Sequence, residues 1–234
     1  MGKSLHIGLV GPLPPPSGGM ANQTLQLAKL LRQENIHVDV VQTNASYKPR
    51  WIGKISVLRA FFRLAFYIIN LWYIAGRVDV FHIMANSGWS WHLFTVPAVW
   101  IAKLRSVPTV INYRGGEAEK FFSKSFKYVK PTLKACSRIV VPSRFLEEVF
   151  NKRGVTTQII ANIIDLDRFN SEDNVAKEFS PHLLVARNLE LIYDNETAIR
   201  AFNEILATYP KAGLTIAGTG PELDNLQSLA RELG

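Results

Sequence analysis

Gly8-Leu9-Val10-Gly11-Pro12-Leu13-Pro14-Pro15-Pro16-Ser17-Gly18-Gly19-Met20 is the stretch whose reading decides the fold. The apolar run His6–Val10 predicts a short buried strand. A Pro-rich loop follows, and Ser17-Gly18-Gly19 opens a helix over Gly19–Arg32. Ala21, Leu25, Ala28 and Leu31 recur at helical spacing and predict its inner face. The order is therefore strand, glycine loop, helix. The first free N–H groups of such a helix point beyond the carboxyl end of the strand. The helix dipole favours an anion there by roughly 0.3–1 kcal/mol, and glycines let a phosphate reach the backbone. The loop is neither G-x-G-x-x-G nor G-x-x-x-x-G-K-[ST], which argues against an ordinary dinucleotide fold and excludes a P-loop. Taken alone, it reads equally well as a tight turn without a ligand.

Working outward, strands and helices alternate. Predicted strands are His6–Val10, His37–Gln42, Asp79–Met84, Pro108–Tyr113, Ser137–Val141 and Gln158–Ala161. Predicted helices are Gly19–Arg32, Ile52–Ala75, Trp89–Leu104, Phe121–Cys136 and Arg144–Lys152. The strands are Val- and Ile-rich runs, as expected when helices cover both faces of a sheet. The alternation predicts an α/β fold with a doubly wound parallel sheet, whose ligands bind beyond the carboxyl ends of the strands. Residues 1–170 form this first domain and 171–181 read as a polar linker. A second α/β unit begins at 182 and runs to 234: strand His182–Arg187, helix Glu196–Thr208, strand Gly213–Ala217, helix Pro221–Leu233. Pro221 is predicted at the first helical position. Two strands and two helices do not cover a sheet, so this second domain reads as incomplete.

The 234 residues suffice for one large or two small domains. A single cysteine, Cys136, excludes a disulfide framework and suggests a reducing compartment. The first strand begins almost at once, leaving no room for a signal peptide. The longest uncharged apolar run, Leu64–Gly76, is too short to span a bilayer. Charge is unevenly placed. Residues 1–170 hold 22 Lys and Arg against 9 Asp and Glu, a net +13, while residues 171–234 carry a net −5. This asymmetry points to a polyanionic partner for the first half.

Five short motifs carry a resemblance. They are Ser17-Gly18-Gly19 after the first strand, Val140-Val141-Pro142-Ser143 after the fifth, and Asn162-Ile-Ile-Asp165-Leu-Asp167-Arg168-Phe169 at the domain junction. Ala186-Arg187-Asn188 and Ala217-Gly218-Thr219-Gly220-Pro221-Glu222 complete the set. In this order and context the chain resembles glycosyltransferase family 4, retaining enzymes of the GT-B fold. The resemblance implies an entire acceptor-side Rossmann-like domain and the beginning of a donor-side domain. It implies transfer of a sugar from a nucleotide diphosphate sugar, with no metal and no cofactor. The leaving diphosphate would be stabilised by fixed positive groups. Gly18 and Gly19 would offer backbone N–H groups to it, and Arg187 its planar fork. Gly218 and Gly220 would lie near the nucleotide, and Tyr193 would donate a hydrogen bond. Arg114 and Arg187 are the catalytic candidates. Ser17, Glu117, Ser143, Asn162 and Asp165 fall on the acceptor side or at the hinge.

The chain departs from the family pattern in three places. No lysine follows Arg187, where Arg187-Asn-Leu-Glu-Leu-Ile-Tyr193-Asp194 stands instead. Tyr113-Arg114-Gly115-Gly116-Glu117 occupies the place of the usual His-Gly. The family's pair of glutamates in the donor domain is absent, so the 234 residues are expected to turn over little or nothing.

Other signals have plainer readings. Asp165-Leu-Asp167 is a D-x-D, but two carboxylates make a poor metal site, and capping or ion pairing explains them. The histidines show no ligand spacing. Glu117 and Glu119 suit a helix start. Ser143 lacks the G-x-S-x-G context of a hydrolase nucleophile.

Two basic stretches suggest a membrane surface. Between Asp39 and Asp79 there is no acid, while Lys48, Arg50, Lys54, Arg59, Arg63 and Arg77 intersperse Trp51, Phe61, Phe62, Phe66, Tyr67, Trp72 and Tyr73. For the aromatics, burial is the favoured reading, since both faces of the sheet need cover. Lys120, Lys124, Lys127, Lys130 and Lys134 fall on one helical face, although Pro131 is expected to kink or restart that helix. Near an anionic leaflet each cation contributes about 1 kcal/mol. No nucleic-acid recognition motif is present. The sequence therefore reads as a cytoplasmic glycosyltransferase, peripheral on the inner membrane face and acting on a glycan or lipid-linked acceptor in cell-envelope polysaccharide synthesis. The alternative is a non-catalytic membrane- or partner-docking module derived from one.

Overall fold

The computed structural model describes residues 4–16, 18–45, 56–166 and 180–234, the side chains of 56–61 excepted. Ser17, the helix start at 52–55, Asp167, Arg168, most of the 171–181 linker, Lys48, Arg50, Trp51, Lys54 and the side chains of Arg59 and Phe61 lie outside the described residues. The chain divides into two compact units, Met1–Arg168 and Phe169–Gly234.

In the first unit the strands are β1 (His6–Gly11), β2 (His37–Gln42), β3 (Val80–Ala85), β4 (Thr109–Tyr113), β5 (Arg138–Val141) and β6 (Gln158–Ile159). Intervening helices are α1 (Gly19–Gln33), α2 (Ser56–Ala75), α3 (Val96–Leu104), α4 (Ala118–Ala135) and α5 (Arg144–Asn151). All strand pairs are parallel, in the order β2-β1-β3-β4-β5-β6. This is a Rossmann-like sheet. Right-handed crossovers send α1 to one face and α2 to α5 to the other. The alternation of β1 agrees: Leu9 clusters with Ala28 of α1, while Val10 clusters with Leu71 and Ile74 of α2. The crossovers leave β1 in opposite directions, so the crevice for ligands lies between the loops that follow β1 and β3.

The larger core lies between the sheet and α2 to α5, around fully buried Trp91, Tyr113, Phe122 and Phe150. Phe122 and Phe150 meet edge-on at 4.9 Å, a geometry that aromatic quadrupoles favour.

Two expectations for this unit need correction. Leu25 is exposed and Thr24 takes its inward place. The Thr24 hydroxyl donates to the Met20 carbonyl at 2.9 Å, so a threonine is buried there with its polar group satisfied. The helix predicted over Trp89–Leu104 is present, and it contains a π-turn, Trp91–Thr95, ahead of α3. Pro97 has no N–H and crowds the carbonyl one turn back, which explains the wider turn. Pro131 lies inside α4 without restarting it. Val129, Thr132 and Leu133 are buried around it, and their packing overrides the local propensity.

The second unit pairs β7 (His182–Ala186) with β8 (Gly213–Ala217) in parallel and packs α6 (Asn195–Thr208) and α7 (Leu223–Leu233) around Leu189, Ile199 and Leu226. Pro221 sits in the turn ahead of α7, and Glu222, not Pro221, precedes its first residue.

Candidate functional site

The carboxyl ends of β1, β3 and β4 carry the polar side chains that the sheet leaves free. After β1, the Pro-rich loop is held by Asn44, which accepts from the Leu13 amide at 2.9 Å and donates to the Leu13 carbonyl at 2.8 Å. Gly18 is the N-cap of α1 and supplies no side-chain acceptor. Its carbonyl receives the Asn22 amide at 2.9 Å. A Cβ at Gly18 or Gly19 would meet nothing within 4 Å. Among the described residues, packing therefore does not require glycine there.

Arg114, just beyond β4, is half-buried. Its Nε donates to Asn112 Oδ1 at 3.1 Å and its Nη1 to Asn162 Oδ1. Both acceptors are neutral amides, and no carboxylate pairs with this guanidinium among the described residues. Burial lowers its pKa. Asn112 also donates to His82 Nε2, 3.1 Å away. Burial, with the nearby Arg114 charge, pushes the His82 pKa down to about 4. His82 is therefore neutral at pH 7, and its Nε2 is free to accept. The arrangement holds a positive charge in place with neutral neighbours, the electrostatic form of an anion receptor.

Beside Arg114, Tyr113 is buried, and its hydroxyl shares a 2.8 Å hydrogen bond with Ser87. Burial pushes the Tyr113 pKa up to about 12 against the opposing effect of that bond. Gln23 of α1 clasps the main chain of Ile163, accepting from its amide at 3.2 Å and donating to its carbonyl at 3.1 Å. Asn162, next in the chain, is the residue that holds Arg114. The first turns of α1 and the guanidinium are thus joined through one segment.

The other candidates of this unit have local tasks. Ser143 caps α5, accepting from the Leu146 amide at 3.4 Å. Glu117 precedes α4 and pairs with Lys120 at 3.0 Å. Asp165 pairs with Lys29 of α1 at 3.4 Å. Lys120, Lys124, Lys127, Lys130 and Lys134 are all exposed along α4. Cys136 donates to the Leu133 carbonyl, and burial pushes its thiol up to about 11, which leaves it inert. Asn112 and His82 are the members of this site that were not singled out from the sequence. An asparagine inside Thr109-Val-Ile-Asn-Tyr113 was their signal, since strands disfavour it.

In the second unit, Arg187 is exposed at the end of β7 and its guanidinium lies 5.2 Å from the centre of the Tyr193 ring. Gly218 and Gly220 follow β8. A Cβ at Gly218 would collide with the Arg187 carbonyl, and one at Gly220 with the Leu189 carbonyl. The Leu189 amide donates to the Thr219 carbonyl at 3.0 Å. These glycines therefore let the two loops touch, and that contact fixes the backbone from which Arg187 extends.

Residues 17–168, more than half of the chain, match the family model described as Glycosyltransferase Family 4. The chain belongs to glycosyltransferase family 4. The matched region holds β2 to β6, the Gly18-Gly19 helix start and Arg114, while β1 precedes it. No curated protein matches the chain. Among solved structures, UDP-GlcNAc 2-epimerase from Methanocaldococcus jannaschii is similar, with a TM-score of 0.49 and 11% sequence identity, covering 98% of this chain and 68% of that one. Among the described residues of the family 4 chain, no group of three or more His, Cys, Asp or Glu is placed to hold a metal. No described helix is long and apolar enough to cross a membrane.

Proposed function

We propose that this family 4 protein transfers a sugar from a nucleotide diphosphate sugar, with retention at the anomeric carbon, to a glycan or lipid-linked acceptor in cell-envelope polysaccharide synthesis. The observation that carries this reading is Arg114, a half-buried guanidinium at the carboxyl edge of the sheet that is held, among the described residues, by amides alone. A charge with no counter-ion among the described residues can meet an anionic oxygen of donor or acceptor. In the second unit, described by itself, Arg187 stacked on Tyr193 offers a planar fork suited to a diphosphate. In the first unit, the start of α1, which has no side-chain cap at Gly18, adds a positive end to that of Arg114. Within each unit the groups offered to an anion are fixed, a scheme that needs no metal and no cofactor. The exposed lysine stripe of α4 suits an acceptor held at the anionic inner face of a membrane.

The test is titration of the chain with nucleoside diphosphate and with the matching nucleoside. Diphosphate-dependent binding that Arg187→Ala weakens by about ten- to a hundredfold, as expected for a charged hydrogen-bonding pair, supports the reading. Binding that ignores the diphosphate, or that Arg187→Ala leaves unchanged, sinks the donor-site assignment. A second reading is favoured by the five exposed lysines of α4: a non-catalytic module, derived from a transferase, that docks on membranes or a partner enzyme. It expects vesicle binding with no nucleotide affinity.

A further inference from the structure

From Leu64 onward, α2 is apolar on both sides. Its inner side is accounted for, since Tyr67, Leu71, Ile74 and Ala75 are buried against the sheet and its neighbours. The Tyr67 hydroxyl donates to the Phe94 carbonyl at 2.8 Å and pins that side. The outer side is not accounted for. Phe66, Ile69, Trp72 and Tyr73 are 60%, 64%, 49% and 59% exposed, and they share one helical arc. A water-facing helix would carry charges there, yet Leu64 to Gly76 has none.

Cations collect where this face ends. The Arg77 guanidinium lies 3.7 Å from the Tyr73 ring centre, and Arg105, from the loop after α3, lies 5.0 Å from that of Trp72. No acid occurs in α2 or α3. Asp79 is the sole acid between residues 40 and 116, and it accepts the His6 amide at 2.9 Å.

We propose that the outer face of α2, with Arg77 and Arg105 at its rim, docks the protein on an anionic lipid bilayer. Aromatic rings beside guanidinium groups suit the headgroup boundary, where rings sit in the apolar layer and cations meet phosphates. The helix lies in that boundary instead of crossing it, because its inner side is already packed. Charge selects lipid over a second copy of this chain. A two-fold pairing of α2 would set this cation-rimmed face against a copy of itself, with no acid on α2 or α3 to neutralise Arg77 and Arg105. The proposal shares with the proposed function only the anionic membrane as partner. It involves different residues and no transfer chemistry.

The experiment is co-sedimentation of the full chain with vesicles of phosphatidylcholine alone and of equimolar phosphatidylcholine and phosphatidylglycerol. Binding to the anionic vesicles is expected. The triple change Phe66→Ser, Ile69→Ser, Tyr73→Ser should weaken it roughly tenfold or more, and Arg77→Gln with Arg105→Gln by about tenfold. Brominated lipid should quench the fluorescence of the unaltered chain, and Trp72→Phe should reduce that quenching. The arginine pair and the quenching keep the question decidable if the triple variant does not fold. Equal vesicle binding by the unaltered and triple-serine proteins overturns the proposal, even where Lys124→Gln, Lys127→Gln and Lys130→Gln together abolish binding. That pattern would assign the membrane contact to α4 instead. A dimer that dissociates with the triple change, and that ignores vesicles, also overturns it.

Discussion

Lowering the pH should unload the interior beneath Arg114, and the size of the effect follows from His82. An ordinary histidine titrates near 6.5, whereas burial, with help from Arg114, holds His82 near 4. Its folded pKa is thus depressed, so the unfolded chain binds the extra proton between these values. The stability that His82 contributes is complete above about pH 6.5 and is lost as the pH falls toward 4. At 1.36 kcal/mol per unit, the whole effect is about 3 kcal/mol, of which about 2 kcal/mol disappears between pH 7 and pH 5. Protonation also removes the Nε2 acceptor used by Asn112. Other groups titrate in this range, so the quantity to measure is a difference. Urea unfolding, followed by the fluorescence of the tryptophans, all of which lie in the first unit, should be recorded at both pH values for the unaltered chain and for His82→Gln. Glutamine can still accept from Asn112 through its Oε1 but does not titrate. The pH-dependent loss should shrink by about 2 kcal/mol in the variant. Equal losses in the two proteins would refute the argument and place the His82 pKa near its ordinary value.

Arg114→Met should separate function from folding. It leaves Asn112 Oδ1 without its donor but also removes a desolvated charge, so urea stability should change by less than about 1–2 kcal/mol. Sugar transfer or anion affinity should fall by tenfold or more, and equal activity would dismiss Arg114 from the site. Gly218→Ala drives a methyl group into the Arg187 carbonyl and should destabilise the second unit by about 1–3 kcal/mol. Circular dichroism should show an earlier melt while the tryptophan transition of the first unit stays in place, and an unshifted melt would show that the two loops separate freely.

The alternation of Val- and Ile-rich runs with helical spacing made the parallel sheet legible, because burial on both faces leaves little choice of residue. Helix faces were harder. At Thr24 and Leu25 the rule of apolar spacing chose the larger hydrophobe, whereas the structure buries the threonine because its hydroxyl bonds within the helix. Pro131 and Pro97 show opposite outcomes of one local rule: packing carries α4 past the first, while the second sits beside a π-turn. In the site, Arg114 stood out as a charge next to glycines. Its partners did not, since Asn112 and Asn162 are 50 residues apart and only the fold brings them to one guanidinium. That packing among the described residues does not require glycine at Gly18 likewise needed coordinates, because glycines before a helix serve many purposes.

The amide cradle of Arg114 also bears on how this position can drift. A buried arginine matched to a carboxylate is locked by its partner, since losing either leaves a stranded charge. Here both acceptors are neutral, and Asn162 is exposed enough for water to replace the guanidinium. The fold therefore tolerates many residues at 114. Relatives under selection for folding alone would scatter at this position, and an arginine kept there across divergent chains would be a signature of selection on chemistry.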